Sequence, residues 1–380
     1  MSSAFPVGVR PVNLRIPGPT PCPDDVLAAM GRQMINHRGP EFAEIITRVT
    51  EGLQQLFQTE YDVLILTASG TGAMEALIVN HLSPGDRVLN VSIGSFGDRF
   101  ATIAETYGAN VERLAFEWGT AADPGQVASA LEKDDYKAVL VTHNETSTGV
   151  TNDLEAIAAA CRRAKPDVLI LVDAISSLGS LSCAVDAWDL DAVATGSQKG
   201  WMVPPGLAFI SMRPRAWEAW EQAKMPRFYF DLGRARDMLT KGQTPWTPAV
   251  SIFYALDVAL KRLTADGLER IVARHHRFGE LTRAGVRSLG LQLFADERHA
   301  SDTVTAVRVP DGVDGPKLNK MMREEYKIVL AGGQGKLAGQ IFRIGHLGWA
   351  TEGELTATID ALRDALPKLG YKLPEGATAG

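Results

Sequence analysis

Seven short β-branched or aliphatic runs, separated over the first two-thirds of the chain by segments of helical periodicity, are the feature that most limits the fold. They are Val63 to Thr67, Arg87 to Val91, Val111 to Phe116, Ala138 to Thr142, Val168 to Asp173, Ala192 to Gly196 and Leu207 to Met212. Most are apolar on both faces, as strands are when helices cover a sheet on two sides. Their alternation with helices predicts βα units around a mostly parallel sheet. Asp153 to Ala164 carries Leu154, Ile157, Ala158 and Cys161 at helical spacing, with Asn152 or Asp153 as cap and Pro166 beyond its end. Another helix is expected to start near Thr71. From about residue 213 the alternation fades, and Pro214, Pro226, Pro245 and Pro248 mark what reads as irregular connection. Next come a long helix from Val250 through Arg262 toward Arg283, an extended run Val304 to Val309, a helix Lys317 to Glu325, a run Phe342 to Gly345 and a last helix Glu354 to Leu366. The expected class is α/β in three layers, with a mostly parallel seven-stranded sheet and a smaller C-terminal α+β domain. At 380 residues, two to three times a usual domain, the expected division is an N-terminal segment 1–19, a large domain 20–255 and a small domain 256–380.

Composition narrows the partners. With 45% hydrophobic and 22% charged residues the chain is neither disordered nor collagen-like. Its 39 Lys and Arg against 45 Asp and Glu give a net charge of −6, which offers no general attraction for nucleic acid or an anionic membrane. Three scattered cysteines do not make a disulfide framework. Met1 to Arg15 lacks a basic stretch leading into an apolar run, so it does not read as a secretion signal. No apolar run nears the roughly 18 residues of a membrane span. The expected location is the cytoplasm, without membrane or nucleic-acid partners, and Glu375 to Gly380 forms a small-residue tail.

Three strand ends carry chemistry. Ala68-Ser69-Gly70-Thr71-Gly72 follows a strand and opens a helix, where close-approaching glycines and free amides suit a phosphate. Such a turn is also often only a tight connection. The dinucleotide fingerprint fails because Glu75 stands where a third glycine is needed, and no Gly-Lys-Ser/Thr of a P-loop occurs. Asp173 ends the apolar strand Val168 to Val172, where a carboxylate can hold a protonated heterocyclic nitrogen or cap a turn. Lys199, in Gly196-Ser197-Gln198-Lys199-Gly200-Trp201, has no charged neighbour for several residues on either side. Burial lowers a lysine pKa, and the neutral amine is the form that attacks an aldehyde. A phosphate cradle, an acid for a pyridinium nitrogen and a Schiff-base lysine are together the three handles of pyridoxal 5′-phosphate.

With these motifs the chain resembles the class V, fold-type I aminotransferases that use this cofactor, most closely the serine/alanine:glyoxylate (serine:pyruvate) group. The likeness runs from about Ile16 to Leu366. It rests on Ile16-Pro17-Gly18-Pro19-Thr20, Asn36-His37-Arg38-Gly39-Pro40-Glu41-Phe42, Ser69-Gly70-Thr71-Gly72, Gly94-Ser95-Phe96-Gly97-Asp98-Arg99, Asn144-Glu145-Thr146-Ser147-Thr148-Gly149, Val172-Asp173, Gly196-Ser197-Gln198-Lys199 and Phe342-Arg343-Ile344-Gly345. The resemblance implies that Lys199 forms the Schiff base and that Asp173 pairs with the ring nitrogen. Ser69, Gly70, Thr71 and Gln198 would hold the phosphate, and Thr146 would lie near the ring oxygen. Phe96 would stack on the ring with Ile175 covering its other face, while Arg343 would grip the substrate carboxylate beside the Gly18 backbone. In a homodimer Thr244 and Thr247 of the 243–247 stretch, where many relatives carry Tyr or His, would reach the neighbouring subunit's phosphate.

The activity so implied is transfer of an amino group from alanine or serine to glyoxylate or pyruvate. Other readings stay open: a lyase or desulfurase of the same fold, a ureidoglycine-type aminotransferase, a nicotinamide-dependent dehydrogenase and a non-catalytic subunit. His275 and His276 lack metal-ligand spacing, and no metal is expected. The pairs Arg162-Arg163 and Arg234 with Arg236 read as solvated faces or subunit contacts, and Phe228, Tyr229 and Phe230 as packing.

Overall fold

In the computed structural model, residues 12–376 are described; positions 1–11 of the N-terminal segment and 377–380 of the tail lie outside them. All seven expected runs form strands of one sheet: β1 (Val63–Leu66), β2 (Arg87–Ser92), β3 (Asn110–Ala115), β4 (Ala138–Thr142), β5 (Leu169–Asp173), β6 (Ala192–Gly196) and β7 (Ala208–Met212). Their order is β1-β7-β6-β5-β4-β2-β3. Neighbours from β6 to β3 run parallel, and β7 is antiparallel to both β1 and β6.

Alternate residues feed two cores. Val63, Ile65, Leu89, Val91, Val139, Val141, Ile170 and Val172 meet Phe42, Val49 and Leu53 of helix Pro40–Phe57 and Phe253 and Leu256 of helix Val250–Asp266. Leu64, Leu66, Val88, Leu140, Leu169 and Leu171 meet Met74, Leu77 and Ile78 of helix Gly70–His81 and Phe100 of helix Ser95–Thr106. This two-sided burial, at about 1.5–3 kcal/mol per large apolar side chain, is what the continuous apolar runs encode. The exception is β3, an edge strand with no fully buried residue.

Helix Leu154–Ala164 forms as expected, with the Asp153 carboxylate accepting from the Ala156 amide at 2.9 Å. The stretch expected to be irregular after residue 213 instead holds two helices, Pro214–Gln222 and Leu232–Leu239. Proline at the first helical position starts a helix rather than ending one, and Asp231 caps the second through the amides of Gly233 and Arg234. The long helix expected from Val250 is two helices, Val250–Asp266 and Leu268–Ser288, parted at Gly267, whose φ of +78° suits glycine alone. Arg162 is not on a solvated face: it donates to the Val168 and Asp189 carbonyls and pairs with Asp191 at 2.6 Å.

A second sheet of four strands has the order Asn13–Arg15, Ile328–Gly332, Ile341–Gly345, Val304–Arg308. The first of these, and Ile328–Gly332 to which it pairs in parallel, were not foreseen. Val286, Leu289, Phe342, Ile344, Leu362 and Leu366 form its core, against helices Leu268–Ser288 and Glu352–Lys368. The division at 1–19, 20–255 and 256–380 stands as a proposal; helix Val250–Asp266 crosses its second boundary.

Candidate active site

The carboxyl ends of β5 and β6, the start of helix Gly70–His81 and the start of helix Ser95–Thr106 converge on a cavity of about 180 Å³. Its wall includes Gly18, Ser69, Gly70, Thr71, Phe96, Thr146, Asp173, Ile175, Gln198 and Lys199, together with Pro19, Arg99, Asn144 and Ser176. Residues from Gly18 to Lys199 meet there, most of them because parallel strands deliver their C-terminal loops to one edge of the sheet.

Lys199 follows β6 and donates to the Pro17 carbonyl. Burial pulls its ammonium down to about 8, helped by the charges of Arg343 and Arg99 and opposed by Asp173. Gly18, at φ +107°, lets the chain pass close: a Cβ there would lie 2.6 Å from the Lys199 amine. Asp173 is buried; its Oδ1 accepts from the Ile175 amide at 2.9 Å and its Oδ2 from the Thr142 hydroxyl at 3.4 Å. Burial pushes its carboxyl up to about 7, and the nearby Glu145 adds to this, while the Ile175 amide and Lys199 pull down.

The opposite end of the cavity is built for an anion. Ser69 precedes helix Gly70–His81 yet its hydroxyl caps no amide of that helix. Gly70 sits so close to Ile175 that a Cβ would come within 2.7 Å of the Ile175 side chain. Gln198 lies on the same wall, where its side-chain amide nitrogen is the group able to donate to an anion. A free hydroxyl, free helix-start amides, a glutamine amide and a buried acid near a lysine fit pyridoxal 5′-phosphate in its charge pattern from end to end.

Phe96 is held through its backbone. Its amide and that of Gly97 donate to Glu145 Oε2 at 2.9 and 3.1 Å, while Ser147 donates to Oε1 from its amide at 3.1 Å and its hydroxyl at 2.6 Å. Glu145 is fully buried, and burial raises its pKa.

Arg343 does not form part of the cavity wall; it lies behind Thr146, on strand Ile341–Gly345. Its Nε and Nη2 donate to the Gly332 carbonyl at 3.0 and 2.7 Å, and its Nη1 to the Thr146 carbonyl at 2.9 Å. Of the five donors of a guanidinium these use three, leaving one on each terminal nitrogen, the pair that a carboxylate takes. Thr244 and Thr247 are also off the wall. The Thr244 hydroxyl donates to the Trp246 carbonyl at 2.7 Å, Arg38 braces the stretch by donating to the Thr244 carbonyl at 2.9 Å, and Thr247 is exposed. Phe228 and Tyr229, expected as packing, stay exposed and stack on Trp246.

Asn144, Glu145 and Arg99 stand within the sequence motifs but carry no expected role there. Asn144 donates to Ser176 and Thr303 hydroxyls and accepts from those of Thr151 and Ser301, so it ties the cavity to the second sheet. Arg99 had a legible signal: it lies three residues after Phe96, on the same helix face.

A seven-stranded sheet with this cavity at its carboxyl edge defines an α/β transferase that works with pyridoxal 5′-phosphate. The model of the aminotransferase class-V family matches residues 12–343, and the chain belongs to that family. It is 48% identical over 361 residues, 94% of each chain, to a protein of Synechococcus sp. named soluble hydrogenase, small subunit. It is 37% identical over 375 residues, 96% of this chain and 93% of the other, to serine–glyoxylate aminotransferase of Methylorubrum extorquens. Among solved structures, ureidoglycine–glyoxylate aminotransferase of Bacillus subtilis superposes with a TM-score of 0.92 at 31% identity, covering 98% of this chain and 97% of that one. The chain is thus a pyridoxal-phosphate-dependent aminotransferase, and its substrates are an amino acid and a keto acid. Among the described residues no helix is long and apolar enough to cross a membrane.

Proposed function

We propose that this aminotransferase moves an amino group from alanine or serine to glyoxylate or pyruvate. The observation that carries the proposal is the small cavity in which Asp173 is buried and Lys199 half-buried, with their pKa values drawn toward neutrality. Relatives named for glyoxylate support the acceptor, while serine in one and ureidoglycine in another show that the donor varies on this fold.

When bound, pyridoxal 5′-phosphate supplies an aldehyde for the amine and a ring that takes up electrons from the substrate Cα. Lys199, neutral in part near pH 7 because its pKa is lowered, would be the base that removes the Cα proton and delivers it, across the transferred nitrogen, to the carbon that carried the aldehyde. Asp173 holds a proton on the ring nitrogen; a cation placed against it removes the burial penalty that raises its pKa. Arg343 presents its two free donors to the substrate carboxylate, and Gly18 permits close approach beside Lys199. Ser69, Gly70, Thr71 and Gln198 take the phosphate. Phe96, Ile175 and Thr146 line the same cavity, where Phe96 and Ile175 would flank the ring and Thr146 would donate toward its oxygen. Thr244 and Thr247, away from this cavity, serve the neighbouring subunit of a homodimer, and the three cysteines, none disulfide-bonded, accord with a cytoplasmic location. The word hydrogenase in the Synechococcus relative's name is not carried over, because Lys199, Asp173 and the Ser69 turn are groups for amino transfer.

The deciding experiment is a screen of donors and acceptors on purified protein, followed by cofactor absorbance. Fast exchange with alanine or serine and glyoxylate or pyruvate supports the assignment. Turnover confined to other pairs sinks it.

A further inference from the structure

Arg99 is the cation of the cavity wall that nothing above employs. It belongs to helix Ser95–Thr106, and its guanidinium carbon stands 4.7 Å from the centre of the Phe96 ring. Its Nη1 lies 3.5 Å from the Thr71 hydroxyl, at the anion end of the cavity. Among the described residues no carboxylate is in ion-pair contact with it. The adjacent Asp98 is engaged elsewhere, accepting from the Ser92 hydroxyl at 2.7 Å and lying 3.8 Å from Arg113.

We propose that Arg99 binds the phosphate of the cofactor and supplies the charge that the helix start cannot. The inference rests on the reading of the cavity given under Proposed function. A phosphate monoester carries nearly two negative charges, whereas a helix N-terminus offers about half a positive one. Lys199 is the other cation on the wall, and its amine is needed at the aldehyde. That leaves Arg99, whose planar fork matches phosphate oxygens two at a time. Stacking on Phe96 restricts the guanidinium before anything binds, so little freedom is lost on contact. The same contact couples the aromatic that covers the ring to the group that anchors its far end.

The test uses cofactor-free protein with its wild-type sequence, Arg99→Gln and Arg99→Lys, each titrated with pyridoxal 5′-phosphate and with pyridoxal and read by absorbance. Loss of a charge-assisted contact weakens the phosphate ester by about 10- to 100-fold in Arg99→Gln, with pyridoxal changed by less than about 3-fold. Arg99→Lys falls between, since it keeps the charge and loses the fork. Inorganic phosphate alone raises the unfolding temperature of the cofactor-free wild type more than that of Arg99→Gln. Equal weakening of both ligands overturns the proposal, since Arg99 then acts only by placing Phe96. So does an unchanged affinity, or a defect confined to the KM of a dicarboxylic amino acid. A wild-type protein that binds neither ligand refutes the cavity reading itself and is told apart from these outcomes.

Discussion

The two sheets hold their ionisable groups in opposite ways. At the carboxyl edge of the seven-stranded sheet, Lys199 and Asp173 are drawn toward each other's range, to about 8 and about 7, by burial that their mutual attraction only partly offsets. In the four-stranded sheet Arg343 is as deep as Asp173, yet backbone carbonyls of Gly332 and Thr146 receive it and it stays a cation, lowered only to about 10. One edge keeps groups able to change protonation; the other keeps a fixed charge in a fixed direction. Proton transfer needs the first and carboxylate binding needs the second.

The comparison breaks most sharply at Lys199. Lys199→Ala removes both the amine that meets the aldehyde and the base, so kcat should fall by about 10⁴-fold. The cofactor absorbance of the bound amine should vanish with it. Retention of that band would show that another lysine carries the chemistry.

Asp173→Asn separates activity from stability. Without a charge against the ring nitrogen, kcat/KM should drop by about 100- to 1,000-fold in steady-state assays. The cofactor-free variant should nonetheless be more stable than the wild type. Asp173 has its folded pKa raised from 3.8 to about 7, so the unfolded chain holds fewer protons between these values and stability falls as pH rises through them. The variant's advantage therefore opens from pH 4 to 7 and reaches about 4 kcal/mol in denaturant titrations. A gap that stays flat across this range contradicts a buried, titrating Asp173.

These contrasts mirror what could be read before folding. The strands β1 to β7 and the turn at Ser69 were legible because two-sided burial writes continuous apolar runs, and a helix that starts at a ligand needs glycine there. Lys199 and Asp173 stood out for the same local reason, a polar residue ending an apolar strand. Arg343 was legible only by resemblance, since its contact with Thr146 spans 197 positions. Helix Pro214–Gln222 was hidden because its first residue is a proline, and Leu232–Leu239 because eight residues between prolines at 226 and 245 imitate a loop. Strand Asn13–Arg15 was hidden because three residues pairing with 328–330 leave no periodicity.

Arg343→Lys tests the second edge alone. The point charge remains but not the fork, so the KM for the amino acid should rise by about 30-fold with kcat changed much less. Equal losses in kcat and kcat/KM would mean that Arg343 also orders the reacting atoms.

Glu145 is where the two edges touch, which makes its effect the smallest and the most discriminating. It accepts at the start of helix Ser95–Thr106, fixing the Phe96 backbone, and its charge also acts on Arg343 and on Asp173. In Glu145→Gln the four donors around the carboxylate face an amide with one acceptor oxygen, so stability should fall by about 1–3 kcal/mol in denaturant titrations. Removing the negative charge should at the same time ease binding of a substrate carboxylate at Arg343, lowering the KM by about 2-fold. A purely structural role predicts the opposite sign, because a loosened Phe96 and Thr146 would misplace the site and raise the KM. The direction of that one constant decides whether Glu145 only braces the helix or also tempers the arginine behind it.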